Sequence, residues 1–156
     1  MITDISENYT FRKVDLSIFP DIITPDISVD SRIGTQPKIS TGHSKAAQNF
    51  LKALMTPLGH FRSDPTYGSE FSLLIRSGGL IYPDQITSIF AIEALRVVEV
   101  VFGKKGAAYP DDEVIVSATL KFYQVDRTSI TLEILLTYRN SDLPKEFIIP
   151  INLGTT

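Results

Sequence analysis

Hydrophobic and polar positions change their rhythm three times along the chain. Between Ser44 and Met55 the period is helical: Ala47, Phe50, Leu51, Leu54 and Met55 recur at i, i+3, i+4, i+7 and i+8, the spacing of one buried helix face. Ser40, Thr41 and Ser44 offer N-cap oxygens at its start. Lys45, Asn49 and Lys52 fall off the stripe and are expected to be wet. A second helix is predicted from Pro83-Asp84, with Asp84 as its cap, through Phe102 to a stop at Gly103. Glu93, Arg96 and Glu99 are three apart and form its one charged, solvated face. The rest of it is apolar, so it is expected to be covered on most sides. The β-branched run from Val97 to Val101 weakens its last turns.

After Asp112 the period becomes two. Val114, Val116, Ala118, Leu120 and Phe122 alternate with Ile115, Ser117, Thr119, Lys121 and Tyr123; beyond a turn near Asp126-Arg127, Ile130, Leu132, Ile134, Leu136 and Tyr138 alternate with Thr131, Glu133, Leu135, Thr137 and Arg139. Two long antiparallel strands are predicted, each with one apolar face. A third apolar segment follows from Glu146 to Leu153, and Pro150 restricts it to an edge or to one-sided pairing. Phe71 to Arg76 reads as a short strand closed by Ser77-Gly78-Gly79. The expected fold is α+β: residues 40–156 form a domain in which two helices cover a small, mostly antiparallel sheet.

Residues 1–39 read as an extended arm. Pro20, Pro25 and Pro37 prevent any long helix or central strand, while Phe11, Val14, Leu16, Ile18, Phe19, Ile22, Ile23 and Ile27 carry more apolar surface than a solvated linker. Acidic residues outnumber basic ones in it. Such an arm either wraps its own domain or lies along a partner.

Composition narrows the chemistry. At 156 residues the chain is one domain's worth, with a core that needs no staple. It has no cysteine and only two histidines, His43 and His60, which leaves little for disulfide, thiol or zinc chemistry. A net charge of -3 offers no basic field to nucleic acid. The first residues have neither the positive nor the apolar region of a secretory signal, and no apolar run reaches the roughly twenty residues that span a bilayer.

Between the first helix and residue 70 lies a dense turn that contains Thr56, Pro57, Gly59, Arg62, Pro65, Tyr67, Gly68 and Ser69. On local chemistry this is a helix-to-strand connector: Pro57 ends the helix, the glycines permit positive φ, and Phe61 and Tyr67 give the turn something to bury. The pattern Thr-Pro-x-Gly, an arginine three residues on, then Pro-x-aromatic-Gly-Ser also resembles the signature of the baseplate wedge and sheath-initiator family of contractile tails. That family includes the lysozyme-like wedge subunit of tailed phages and related subunits of type VI secretion baseplates. The resemblance spans roughly Thr41 to Gly154.

Two departures accompany it. His60 stands where the family commonly has an acidic residue, and Tyr109-Pro110-Asp111 matches only the proline of a Glu-Pro-Arg motif implied in docking to the wedge core.

The resemblance implies a structural role: a virion baseplate component, assembled in the host cytoplasm, that anchors the tail sheath protein by strand pairing. Several copies would stand in a ring with other wedge, tube and hub proteins. Phe147, Ile148, Ile149, Ile151 and Leu153, with the hairpin Val114 to Tyr138, are the expected sheath contacts. Phe11, Leu16, Ile18 and Phe19 are the expected contacts to neighbouring baseplate proteins. Removal of residues 146–156 is expected to leave the domain folded. No cofactor or metal is implied. The alternative is a small glycan hydrolase using Glu70 or Asp64, which needs two carboxyls roughly 5 to 10 Å apart; Asp64, Glu70, Glu93 and Glu99 are the candidates, of which Asp64 reads more plainly as a turn residue and Glu93 and Glu99 as solvated charges.

Overall fold

The computed structural model describes residues 15–16, 39–40, 42–77, 83–139, 141 and 143–152. Its elements run β1 (Asp15–Leu16), β2 (Ile39–Ser40), α1 (Gly42–Met55), α2 (Phe71–Arg76), α3 (Pro83–Val97), β3 (Ile115–Val125), β4 (Ser129–Tyr138) and β5 (Lys145–Asn152). β1 and β2 form an isolated antiparallel pair just before α1. β3, β4 and β5 form one antiparallel sheet with β4 in the middle. The chain is therefore α+β, with its helices gathered on one face of a meander.

α1 begins where Glu113, 71 residues further on, accepts the Gly42 N–H at 3.2 Å. Its carboxylate also receives the Lys45 ammonium at 3.1 Å. Lys45 is thus buried, against the expectation from its place off the stripe, because a partner distant in sequence compensates its charge. Tyr138 closes the same corner: its hydroxyl donates to the His43 carbonyl at 2.8 Å, and its ring meets the His43 imidazole edge-on at 4.3 Å. Burial, then the nearby Asp112 charge, pushes the Tyr138 phenol far above its ordinary value. Phe50, Leu54, Ala46 and Ala53 are fully buried, as the helical stripe requires.

Residues 71–76 are a helix, α2, and not a strand. Phe71, Ser72 and Ile75 are buried while Leu73 is exposed, a spacing of one and four that a helical turn satisfies and a strand cannot. A six-residue apolar run carries no period long enough to decide this from sequence. The Phe71 ring packs edge-on against Phe90 of α3 at 5.6 Å. Among the described residues three α-helices, then, stand over the sheet where two are read from the pattern.

α3 continues into one wider π-helical turn, Val98–Phe102, and stops at Gly103. The Gly103 N–H reaches back to the carbonyls of both Val98 and Glu99 at 3.1 Å. A Cβ at this position would collide with the Glu99 carbonyl, so the stop requires glycine. Asp84 lies in the first turn of α3 and not ahead of it.

Glu93 overturns the solvated-face reading. It is only 6% exposed, accepts the Glu70 N–H at 2.9 Å, and has Arg96 at 3.9 Å. The apolar side of α3 differs as well: Ile92 and Leu95 are each 61% exposed, so the helix is covered on fewer sides than its composition suggests.

β4 keeps strict alternation. Ile130, Leu132, Ile134, Leu136 and Tyr138 all face the helices, and each of the first three is paired with a buried residue of β5, in the register Ile130 to Ile151, Leu132 to Ile149 and Ile134 to Phe147. β3 does not keep its alternation. Its register shifts between Ile115 and Ser117 and again between Leu120 and Phe122, so each bulge turns the following residues to the other face. Ile115 is buried, whereas Val116 and Phe122, expected inside, are exposed.

Candidate functional site

The sheet ends in two edges whose main-chain chemistry follows from its hydrogen-bond parity. The ladder between β4 and β5 runs unbroken through the pair Thr131 and Pro150. Proline has no N–H, so that pair is a non-hydrogen-bonded one, and the Pro150 nitrogen faces away from β4. At the hairpin tip the Asp126 N–H donates to the Ser129 carbonyl at 2.8 Å, which puts Thr131, Glu133, Leu135 and Thr137 in bonding contact with β3. Both observations give the same phase.

Along β3, Ser117 and Thr119 therefore spend their N–H and C=O groups on Thr137 and Leu135. Ala118 and Leu120 point theirs at the outer edge, which is open among the described residues. Their side chains, paired with Leu136 and Ile134, face the helix layer. The two bulges limit this bare stretch to the residues between Val116 and Lys121.

A groove of about 370 Å³ runs between this edge and α3, floored by Ala118 and Leu120 and walled by Thr87, Ala91, Leu95 and Val98. No charged side chain lines it. Leu95 (61% exposed) and Val116 (49%) stand at its rim.

The β5 edge is different. Phe147, Ile149 and Ile151, expected as contact residues, are buried in the domain's own core. Only Ile148, 50% exposed, faces outward, and Leu153 lies outside the described residues. The Pro150 ring interrupts the outer edge. Loss of residues 146–156 removes three core side chains, which argues against a truncated chain that stays folded.

The signature turn divides into a neck and a tip. Thr56, Pro57, Gly68 and Ser69 form the neck: Ser69 N–H donates to Thr56 O at 2.8 Å, and Leu58 N–H to Ser69 O at 3.1 Å. Gly68 has φ +106°, and a Cβ on it would lie 2.6 Å from the Thr56 carbonyl oxygen, so no other residue fits. The buried Ser69 hydroxyl donates to the Leu54 carbonyl and accepts the Phe71 N–H, joining α1 to α2.

Gly59, Arg62 and Pro65 stand in the exposed tip, where His60, Phe61 and Tyr67 stack edge-on in series. Asp64 is a turn residue, as read: it accepts the Thr66 hydroxyl at 2.6 Å, and that bond, followed by the Thr66 N–H, holds its carboxyl below the usual range. Burial, then the Asp64 charge, raises the Tyr67 phenol.

Near Pro110, Arg139 of the β4 end binds Asp111 at 2.6 Å and the Tyr109 carbonyl at 2.7 Å, while Lys105 lies 3.7 Å over the Tyr109 ring. An acid and an arginine thus flank this proline from different strands of the chain. Sequence reading missed Arg139 because its partners lie 28 and 30 residues upstream.

Among the arm residues, Leu16 belongs to β1; Phe11, Ile18 and Phe19 lie outside the described residues. Among the described residues, no group of three or more His, Cys, Asp or Glu is placed to hold a metal, and no helix is long and apolar enough to cross a membrane. No family model, no curated protein and no solved structure matches the chain.

Proposed function

We propose that this chain is a structural docking protein of a contractile-tail baseplate, which anchors and starts the sheath by pairing with a strand from the first sheath ring. One observation carries the reading: Ala118 and Leu120 turn their main-chain groups to the outer edge and their side chains to an uncharged groove beside it, with apolar residues exposed at its rim. Main-chain bonds to such an edge supply affinity, and alternate side chains in the groove supply register. The signature turn adds the family resemblance. In this reading β3, and not β5, takes the sheath strand, since β5 spends its apolar residues on the core.

Other wedge, tube and hub proteins are partners in this assembly, with residues 1–39 as the segment that meets them. The site of action is the virion tail baseplate, with several copies around the tail axis. Catalysis has no part in it: Glu93 holds the start of α2, and Asp64 shapes its own turn.

The test is to mix the purified protein with its cognate sheath subunit and follow the mixture by light scattering and electron microscopy. Ordered sheath tubes seeded from the added protein are the expected outcome. Sheath that polymerises no faster and in no more regular form than without it would sink the proposal.

A further inference from the structure

We infer that the open edge of β3 selects its partner by a two-position rule: it takes a short, uncharged strand with aliphatic side chains at two alternate positions. The inference rests on the docking reading above and names the partner's chemistry at that same edge.

The rule follows from parity. The bulges on either side leave Ala118 and Leu120 as the residues whose N–H and C=O groups lie on a regular, bare edge. An antiparallel strand that bonds to both places its residues opposite them, and directly opposed residues point to the same face of a sheet. The Ala118 and Leu120 side chains face the helix layer, so the two opposing partner side chains enter the groove beneath α3. The residue between them faces away, onto the outer surface of the sheet beside Thr119.

Small residues make the room. Ala118 on the floor and Ala91 on the wall leave the space that a Leu95 or Val98 neighbour would otherwise fill. The volume, about 370 Å³, lies in the range of clefts that enclose a ligand, roughly 300–1,000 Å³. With no charged residue in the lining, a partner carboxylate or ammonium at either inward position is desolvated without compensation. Leu95 and Val116 close over the aliphatic side chains from the rim.

The probe is a short end-capped peptide that alternates isoleucine with threonine, flanked by lysines for solubility, titrated into the full chain and followed by amide NMR and fluorescence anisotropy. Expected are shifts centred on residues 117–120 and on Ala91 and Leu95. The same peptide with aspartate in place of isoleucine should bind about tenfold more weakly or worse. Ala91→Glu places a charge on the groove wall and should weaken the isoleucine peptide to a similar degree. Ala118→Pro removes a donor from the open edge alone and should do the same, and circular dichroism of both variants checks that the fold survives.

Equal binding of both peptides overturns the inference, as do shifts that fall on β5 or around Phe122 and Ile148. So does a chain that self-associates through β3 and is not dispersed by the isoleucine peptide. Failure here alongside seeded sheath tubes would leave the anchoring role standing and move its contact elsewhere. Peptide binding without seeded tubes would keep the rule and remove the sheath.

Discussion

The sheet has two edges, and they are closed to the outside by different means. At β5 the protection is chemical: Pro150 turns a nitrogen without hydrogen to the edge, and the three large side chains of the strand point into the core. At β3 it is geometrical: two bulges break the register and leave a bare stretch only a few residues long. Both devices discourage unlimited sheet growth. Only the second leaves a place where a strand of the right length and chemistry can add. An edge strand rich in apolar residues is thus no guide to which edge binds, because in β5 those residues are already spoken for by the core.

The largest expected contrast comes from deletion. Removing residues 146–156 takes Phe147, Ile149 and Ile151 from the interior, each worth about 1.5–3 kcal/mol of burial. Together they rival the total stability of a domain this size, about 5–15 kcal/mol. The deleted chain should show no cooperative thermal transition by circular dichroism; a sharp one near that of the intact chain would mean that β5 is dispensable.

Next is the anchor just upstream of β3. Glu113→Ala removes the carboxylate that accepts both the Gly42 N–H and the Lys45 ammonium, and should cost about 1–3 kcal/mol in urea denaturation. A loss within 1 kcal/mol, read as about that much from the midpoint shift, would show that the corner relaxes around it.

A proline pair then compares the two sides of β3 within one strand. Thr119→Pro removes the N–H that serves the Leu135 carbonyl and should cost about 1–3 kcal/mol. Ala118→Pro, one residue away, touches only the open edge and should cost distinctly less. Equal losses would refute the parity on which the edge assignment stands.

The smallest effect belongs to the outer face, where Lys121 bridges Glu133 at 2.8 Å and Glu146 at 2.9 Å. Glu133 is held below its ordinary 4.5 by the neighbouring Glu146 carboxyl, whose acid form donates to it, and then by the Lys121 ammonium. Lys121 is raised above its ordinary 10.5 by Glu133 and then by Glu146. A lowered carboxyl stabilises the fold above its unfolded pKa and loses that effect as pH falls through the folded one; a raised ammonium stabilises below its unfolded pKa and loses the effect as pH rises. The contribution of the cluster is therefore full between 4.5 and 10.5 and declines outside that window. Lys121→Ala should lower the melting temperature slightly at neutral pH, less so in high salt, with the difference from the natural chain vanishing in strong acid. A difference that persists there would assign the effect to packing.

Much of the fold could be read from pattern. The stripe of α1 and the alternation of β4 are long enough to fix both type and facing, and Pro150 identified an edge. The bulges of β3 could not be read so directly, because Val116 and Phe122 are as apolar as the residues they displace; Ile115 and Tyr123, apolar but out of phase, were the one local hint. The burial of Lys45 and Glu93 depends on partners 68 and 23 residues away, beyond any periodicity. The site was half legible. Strand content showed that an edge exists, but choosing the edge needs strand order, and the groove needs the small side chains of two elements set against each other.

The carboxylate at the start of α1 also bears on the order of events in folding. β3, β4 and β5 meet through short connections, so their pairing closes small loops, whereas the bond between Glu113 and Gly42 closes one of 71 residues and carries a larger entropic cost. The meander is then the natural nucleus and the first turn of α1 a late arrival. Substitutions in the β4 core should slow refolding, while those at Glu113 should chiefly speed unfolding.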